Sequence, residues 1–372
     1  MTFAPTNPQS MSDSKSEPTL YRHSSRPTFE VIADGKDITA LIADRVESIN
    51  LSDESGLVAD CMDITLDDRD FMVAVPPTGA VLKISIGYES TGVFYKGSYT
   101  VDEIEASGPP NKLVLRGKSA DMAASMKSQR KQSWSKTTLG KVLEEVAARN
   151  KLKPAIGADF MPIKIEHLDQ TYESDLNLIT RLAEQYGALA KPSAGYLVFV
   201  KKGASVNAQG APMPIIDVDA VVDNITRWQY SEQEREFYGS VRAFWNDKAH
   251  PKKDNSVTVG DKEPVFLIKT PYKDEASAKA GAQARYNQIG LGRYSLSLDM
   301  LGNPLLQAEA TIMLTGVKPE ACGAWVINSV QDALSSSYTS SIAACRPSDF
   351  VRAEEERKAQ EAEQAQDKNK GK

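Results

Sequence analysis

This chain has little cysteine, little histidine and no long apolar run. Its 372 residues include three Cys and three His. The cysteines, Cys61, Cys322 and Cys345, form no CxxC pair and have no His at zinc-ligand spacing, which excludes a structural zinc motif. They read as buried reduced thiols, with a Cys322–Cys345 bridge as the alternative that geometry decides. No stretch approaches the ~20 apolar residues of a spanning helix, so no membrane span is expected. The opening MTFAPTNPQSMSDSKSEPTL lacks the basic start and apolar core of a signal peptide. Basic excess is missing too. The formal net charge is -6, whereas nucleic-acid binders need a basic face to displace counterions. Lys127, Arg130 and Lys131 are a local basic group that reads as a solvated loop. No nucleic-acid sequence recognition is expected.

Catalytic grammar is equally scarce. There is no P-loop and no GxSxG nucleophile turn, and GLGRYS lacks the third glycine of a dinucleotide loop. His23 lies in a polar arm and His250 beside Pro251 in a charged loop. His167 precedes Asp169, so a His–Asp pair is conceivable, but a triad would also need an activated nucleophile. Asp217, Asp219 and Asp223 lack the turn glycine and closing Glu of a calcium loop, and alternate with Val and Ile like one solvated strand face. Glu173 and Asp175 are two positions apart, and residues so spaced on a helix do not face one another. The expectation is no catalytic residue, no cofactor and no metal site.

What is present is patterning. A length of 372 residues with 41% hydrophobic and 25% charged content suits a globular chain with two or three cores. Residues 1–26, rich in Ser, Pro and Thr, read as a flexible arm. From 27 to 118 short alternating strands follow one another, as in Leu82, Ile84 and Ile86, and Asp34-Gly35 marks a tight hairpin. This is a small β-barrel or closed sandwich. From 119 to 202 the period becomes helical. Leu139, Val142, Leu143, Val146 and Ala147 form one stripe, closed by Asn150. The stretch DQTYESDLNLITRLAEQYGALA predicts a second helix. Ser174 is its N-cap, Asp175 meets the helix dipole, and Leu176, Ile179, Leu182, Ala183 and Tyr186 form its buried face. Gly187 is its left-handed stop. A hairpin through Tyr196–Val200 completes an α+β unit.

Residues 203–214 read as a linker. Strand grammar returns over 215–350, a second barrel-like unit with one inserted helix whose Ala276, Ala280 and Ala284 share a face. Residues 351–372 are a charged tail without an apolar stripe, so a coiled-coil arm is not expected.

The motif Glu173-Ser174-Asp175-Leu176, with Arg181-Leu182, Glu184 and Gly187, sits in an α+β insertion between two β units. In that setting the chain resembles the phage late control protein D family, and the hub portion of type VI secretion spike proteins. The resemblance covers roughly residues 27–350. It implies a mainly β fold with two tail-tube-like barrels flanking the α+β insertion, and a structural, non-enzymatic baseplate hub. It also implies a homotrimer joining a six-fold tail tube, or other baseplate proteins, to a three-fold tail spike protein. The location implied is the baseplate of a virion or phage-tail-like particle assembled in the bacterial cytoplasm. Type VI spikes continue into a β-helical needle where this chain stops, so the needle would be a separate protein. The other classes left open are a tail-associated peptidoglycan hydrolase and a glycan-binding module using Trp134, Tyr172 and Tyr186.

Overall fold

A computed structural model describes residues 26–56, 59–119, 124–193, 195–203, 205, 211, 213–233, 238–246 and 255–347. The arm, the tail, His23 and His250 lie outside them. The first β unit contains β1 (Pro27–Ala33), β2 (Lys36–Asp37), α1 (Thr39–Ile42), β3 (Val46–Glu54), β4 (Cys61–Asp67), β5 (Val81–Tyr88), β6 (Gly92–Ser107) and β7 (Lys112–Ser119). Asp34 and Gly35 both take positive φ, 47° and 84°. They close the β1–β2 hairpin as the Asp-Gly pair predicts. Alternation sends Val31, Ile49, Met62, Ile64, Leu82 and Ile84 into one core.

The α+β unit holds β8 (Gln129–Thr138), α2 (Leu139–Arg149), β9 (Lys153–Ile156), β10 (Lys164–Ser174), α3 (Asp175–Tyr186), β11 (Ala188–Ser193) and β12 (Tyr196–Lys201). β8 and β10 pair as an antiparallel ribbon, and β11-β12-β9 form a small sheet. Each ribbon strand runs straight into a helix. Thr138 caps α2 by accepting from the Lys141 N–H, and Ser174 caps α3 by accepting from the Asn177 N–H. The α2 stripe, Leu139 to Ala147, is buried as predicted. The ribbon itself is not anticipated by the helical periodicity. Arg130 and Lys131, read as loop residues, lie on β8.

The remaining elements are β13 (Ile216–Asp219), β14 (Arg227–Glu232), β15 (Ser240–Trp245), β16 (Asn255–Gly260), β17 (Val265–Tyr272), α4 (Glu275–Gly292), β18 (Tyr294–Leu301), β19 (Thr311–Thr315), β20 (Gly323–Leu334) and β21 (Tyr338–Cys345). Two readings of this region change. β15, β16 and β17 do not join the second β unit's sheet but form a separate one under α4. The α4 face that packs on that sheet is Ala278 and Ala282 rather than Ala276, which is exposed. Ala284 instead meets Gly187, at a spacing that a Cβ on the glycine would narrow to 3.0 Å.

The other strands of both β units form one 13-stranded sheet, in the order β14-β18-β21-β20-β3-β4-β7-β6-β5-β1-β2, with β19 on β20 and β13 on β19. Two closed barrels are the sequence expectation; among the described residues no sheet closes. The link between units is β20. Its first half pairs with β19 and its second half, beyond a bulge at Ile327/Ser329, pairs with β3. Leu334 and Tyr338 thereby enter the first unit's core, where the Tyr338 ring lies 5.5 Å from Tyr88.

The pairing contains a repeat. The first path is β1-β5-β6-β7-β4-β3 and the second is β13-β19-β20-β21-β18-β14. In both, the chain lays its first strand at one end and its second at the other. It sets the third beside the second, the fourth beside the first, and the last two between. One ladder differs in sense: β1–β5 is antiparallel and β13–β19 parallel.

Candidate functional site

The stretch around Glu173 and Asp175 is built from a strand running into a helix. Ser174 and Gly187 hold their predicted places, Gly187 at φ 63°. Asp175 does not face solvent at the helix start; it is fully buried. It accepts from Asn150 Nδ2 at 2.8 Å, Gln170 Nε2 at 2.9 Å and Arg149 Nη1 at 3.1 Å, with Arg130 Nε at 3.4 Å. Arg149 lies over the Trp134 ring, and Trp134 Nε1 donates to Glu145 at 2.7 Å. Glu173 pairs with Arg181 through both oxygens, at 2.7 and 3.1 Å. Leu178, absent from the predicted face, is buried, while Leu176 and Tyr186 are only partly so. Each acid is occupied by structural partners, and the two do not act as a pair.

His167 has the partners of a triad without its setting. Ser135 Oγ lies 3.0 Å from Nδ1, Asp169 Oδ2 lies 3.0 Å from Nε2, and Ser133 Oγ donates to Asp169 Oδ1 at 2.6 Å. These are cross-strand neighbours of the β8–β10 register, His167 opposite Ser135 and Asp169 opposite Ser133. The His and Asp side chains are about half exposed. Neither of the two described concavities includes them. One, about 710 Å³, spreads over β3, β4, β7 and β20; the other, about 220 Å³, lies among α3, β11 and α4. A cross-strand polar ladder accounts for the contacts.

The other candidates disperse. Among the described residues no His, Cys, Asp or Glu group is disposed to hold a metal. The strand carrying Asp217 ends at Asp219, whose Oδ1 accepts from the N–H of Val221 and Val222 and whose Oδ2 accepts from Thr315. Asp223 in turn accepts from the Asp219 N–H. Trp134 is buried and Tyr186 partly buried, leaving only Tyr172 exposed, so no aromatic platform forms. The thiols are free, but none is fully buried: Cys61 is exposed, and Cys322 and Cys345 are partly so. Cys345 pairs with Val326, four positions past Cys322. At strand spacing that is roughly 13 Å, too far for a bridge.

The dense polar contacts lie instead where the parts of the chain meet. Lys191 of β11 donates to Asp60 Oδ1 and to the Glu54 carbonyl at 2.8 Å, and to Asp53 Oδ1 at 3.2 Å. Asp53 Oδ2 also accepts from the Ala308 N–H at 2.8 Å. One cluster thus joins the α+β unit to both β units. No local pattern marks it, because Lys191 reads as an ordinary strand residue.

Burial pushes the carboxyls of Glu54, Asp60 and Glu309 above their ordinary range, and Lys191 holds Asp60 back only in part. Such acids bind more protons folded than unfolded. Their contribution to stability therefore falls as pH rises from about 4 through the raised values. For Lys191, burial is outweighed by Asp53 and Asp60, which raise it; its contribution is lost only on the alkaline side. Hydrogen bonds from Ser133 and Thr315 hold Asp169 and Asp219 low. That stability is present above their unfolded value and is lost below about pH 4. The melting temperature is expected to rise as the pH is lowered towards about 4 and to fall below it. Fluorimetry of Glu309→Gln across pH should show a smaller rise and the same acid-side fall; an undiminished rise excludes Glu309 as a source.

With this geometry in hand, residues 79–338 match the family model of the phage tail baseplate hub (GPD). The chain belongs to that family. It is a hub protein of the virion tail baseplate. A probable baseplate hub protein of Escherichia phage 186 is 30% identical to the hub over 354 residues, covering 84% of this chain and 90% of that one. That of Escherichia phage P2 is 31% identical over 331 residues, 78% and 85% of the two chains. The 43 kDa tail protein of prophage MuSo2 from Shewanella oneidensis shares the hub's fold. Its TM-score is 0.65 at 14% identity, over 87% of the hub and 99% of that chain. The fold is mainly β, and no helix among the described residues is long and apolar enough to cross a membrane.

Proposed function

We propose that the hub works as a homotrimer that adapts a six-fold tail tube to a three-fold central spike, in a contractile phage tail or tailocin. The observation that carries this is the repeated strand order. Each chain lays down one six-strand path twice, so three chains present six quasi-equivalent tube-like units. Heterologous contacts between such units can close a ring. Outer strands β14 and β1 each have an edge with few or no partners among the described residues. An exposed edge invites pairing, and a ring of neighbours covers it. Separate apolar cores support units at 27–118, 119–202 and 215–350, with β15–β17 and α4 as a satellite on a core of its own.

The same reading makes the hub non-enzymatic, supported by the occupied acids and the exposed His167 ladder. Mass measurement in solution, alone and with tube and spike proteins, is expected to give a trimer that binds both. A chain that stays monomeric with both partners sinks the proposal. Clearing of cell walls by the purified hub in a zymogram would overturn the non-enzymatic part.

A further inference from the structure

We infer that the loops at the C-terminal ends of β4 and β18 together form one docking face. Its occupant is a six-fold ring whose subunits each offer an apolar socket framed by basic groups; the inference rests on the trimeric reading above.

The direction of the strands places both loop sets on one side. Between β4 and β18 lie β3, β20 and β21, and all four intervening ladders are antiparallel. An even number of reversals makes β4 and β18 parallel, so their C-terminal ends emerge on the same rim. Each is the third strand laid down in its path; the exposed apolar pair beside β4 lies on the loop that follows it, and the pair beside β18 on the turn that precedes β14. β7 and β14 pair antiparallel with β4 and β18, so they end on the opposite rim. The α+β unit follows β7 and the satellite sheet follows β14. The bulky insertions therefore depart from the far side.

On the near rim, each unit holds apolar side chains outward by a cage of Asp hydrogen bonds. At the end of β4, Arg45 grips Asp70 through two 2.7 Å contacts, Asp70 Oδ1 accepts from the Met72 N–H, and Asp68 Oδ1 accepts from the Val73 N–H. Phe71 and Met72 are left 76% and 74% exposed, with Leu41 and Val75 also exposed. At the end of β18, the Thr226 N–H donates to the Asp299 carbonyl and the Leu301 N–H to that of Asp223. This seats the turn in which Asp219 cages Val221 and Val222, 82% and 47% exposed. The backbone at these exposed apolar residues is already fixed by the Asp carboxylates. Less ordering therefore remains to be done on docking, which favours tight binding.

Charge points to the occupant. Residues 38–45 with 67–75 carry two more acids than bases, and so do residues 219–226. A partner that fits both must surround its apolar socket with positive charge. Three chains offer this feature six times, which matches a six-fold ring and not a three-fold one.

The test uses the full-length hub and tail tubes prepared from the particle that encodes it. The variants are Phe71→Asp with Met72→Asp, and Val221→Asp with Val222→Asp; Leu267→Asp, exposed on β17, is the control. Each rim pair should weaken tube binding by about tenfold or more at unchanged solution mass and unchanged melting temperature. Wild-type binding should fall with added salt, and the control should bind as wild type. Rim variants that are trimeric and bind tubes normally overturn the inference and leave the trimeric reading intact. So does loss of spike binding in place of tube binding, or loss from one pair alone. A wild-type hub that forms no trimer and binds no tube refutes the trimeric reading itself.

Discussion

Asp175→Ala is expected to destabilise the α+β unit by about 3–5 kcal/mol, the range for removing one partner of a buried charged network. The carboxylate is fully buried and is the common acceptor for Asn150, Gln170 and Arg149, with Arg130 close by. Removing it strands the buried amides of Asn150 and Gln170 out of reach of water, and each unsatisfied group carries its own desolvation cost. It also deletes the negative charge in the first turn of α3, where the helix dipole favours it. Asp175→Asn keeps the shape but turns an acceptor oxygen into a donor facing other donors, so an intermediate loss is expected. Glu173→Ala is the contrast. Its partner Arg181 is 43% exposed, and such pairs contribute about 0–1 kcal/mol. Hydrogen exchange across α2 and α3, read with thermal melts, separates the three. An Asp175→Ala hub with wild-type protection in both helices would show that the network is not what holds them together.

The second large effect is at the seam between the β units. Lys96→Met is expected to cost about 3–5 kcal/mol by leaving Asp332 buried without its cation. Lys96 on β6 and Asp332 on β20 are 8% and 2% exposed and 2.7 Å apart. The ammonium also donates to the carbonyls of Leu306 and Pro304, while Asp332 accepts from Tyr338 and Ser340. The pair therefore ties the first path to the second and to the loop between β18 and β19. Its loss should loosen the seam before either core, seen as earlier exchange at β3 and β20. The double variant Lys96→Met/Asp332→Leu should recover part of the loss, since an apolar pair removes the stranded charge. Simple additivity in that cycle would mean that the two residues act independently.

Much of the chain was legible at the level where neighbours in sequence decide the outcome. The Asp34-Gly35 turn, the α2 stripe and the Ser174 and Gly187 ends of α3 follow from local sterics, capping and period, and all are present. Asp175 stands in the first turn of α3 as read, but its burial was not legible. Its partners Arg149 and Arg130 lie on other elements, so nothing within the helix distinguishes a buried acid from a solvated one. The β8 strand QRKQSWSKTT is missed for a related reason. Only Trp134 is buried along it, so no alternation of apolar and polar residues betrays the ribbon. The Ser135–His167–Asp169 contact was half visible, as a His near an Asp; strand register supplied the Ser and also left the group exposed.

The family is readable from residue order alone, through the Glu-Ser-Asp-Leu motif and its setting, as are the mainly β character and the lack of catalytic motifs. Those depend on residue identity and short-range period. It takes the folded chain to show that both β units share one sheet, that their strands are laid down in the same order, and that their apolar loops lie on one rim. β3 and β20 meet from distant parts of the chain through backbone hydrogen bonds, which every residue except proline can both donate and accept. Strand order can therefore repeat without any repeat of side chains, and a reader of side chains alone does not see it.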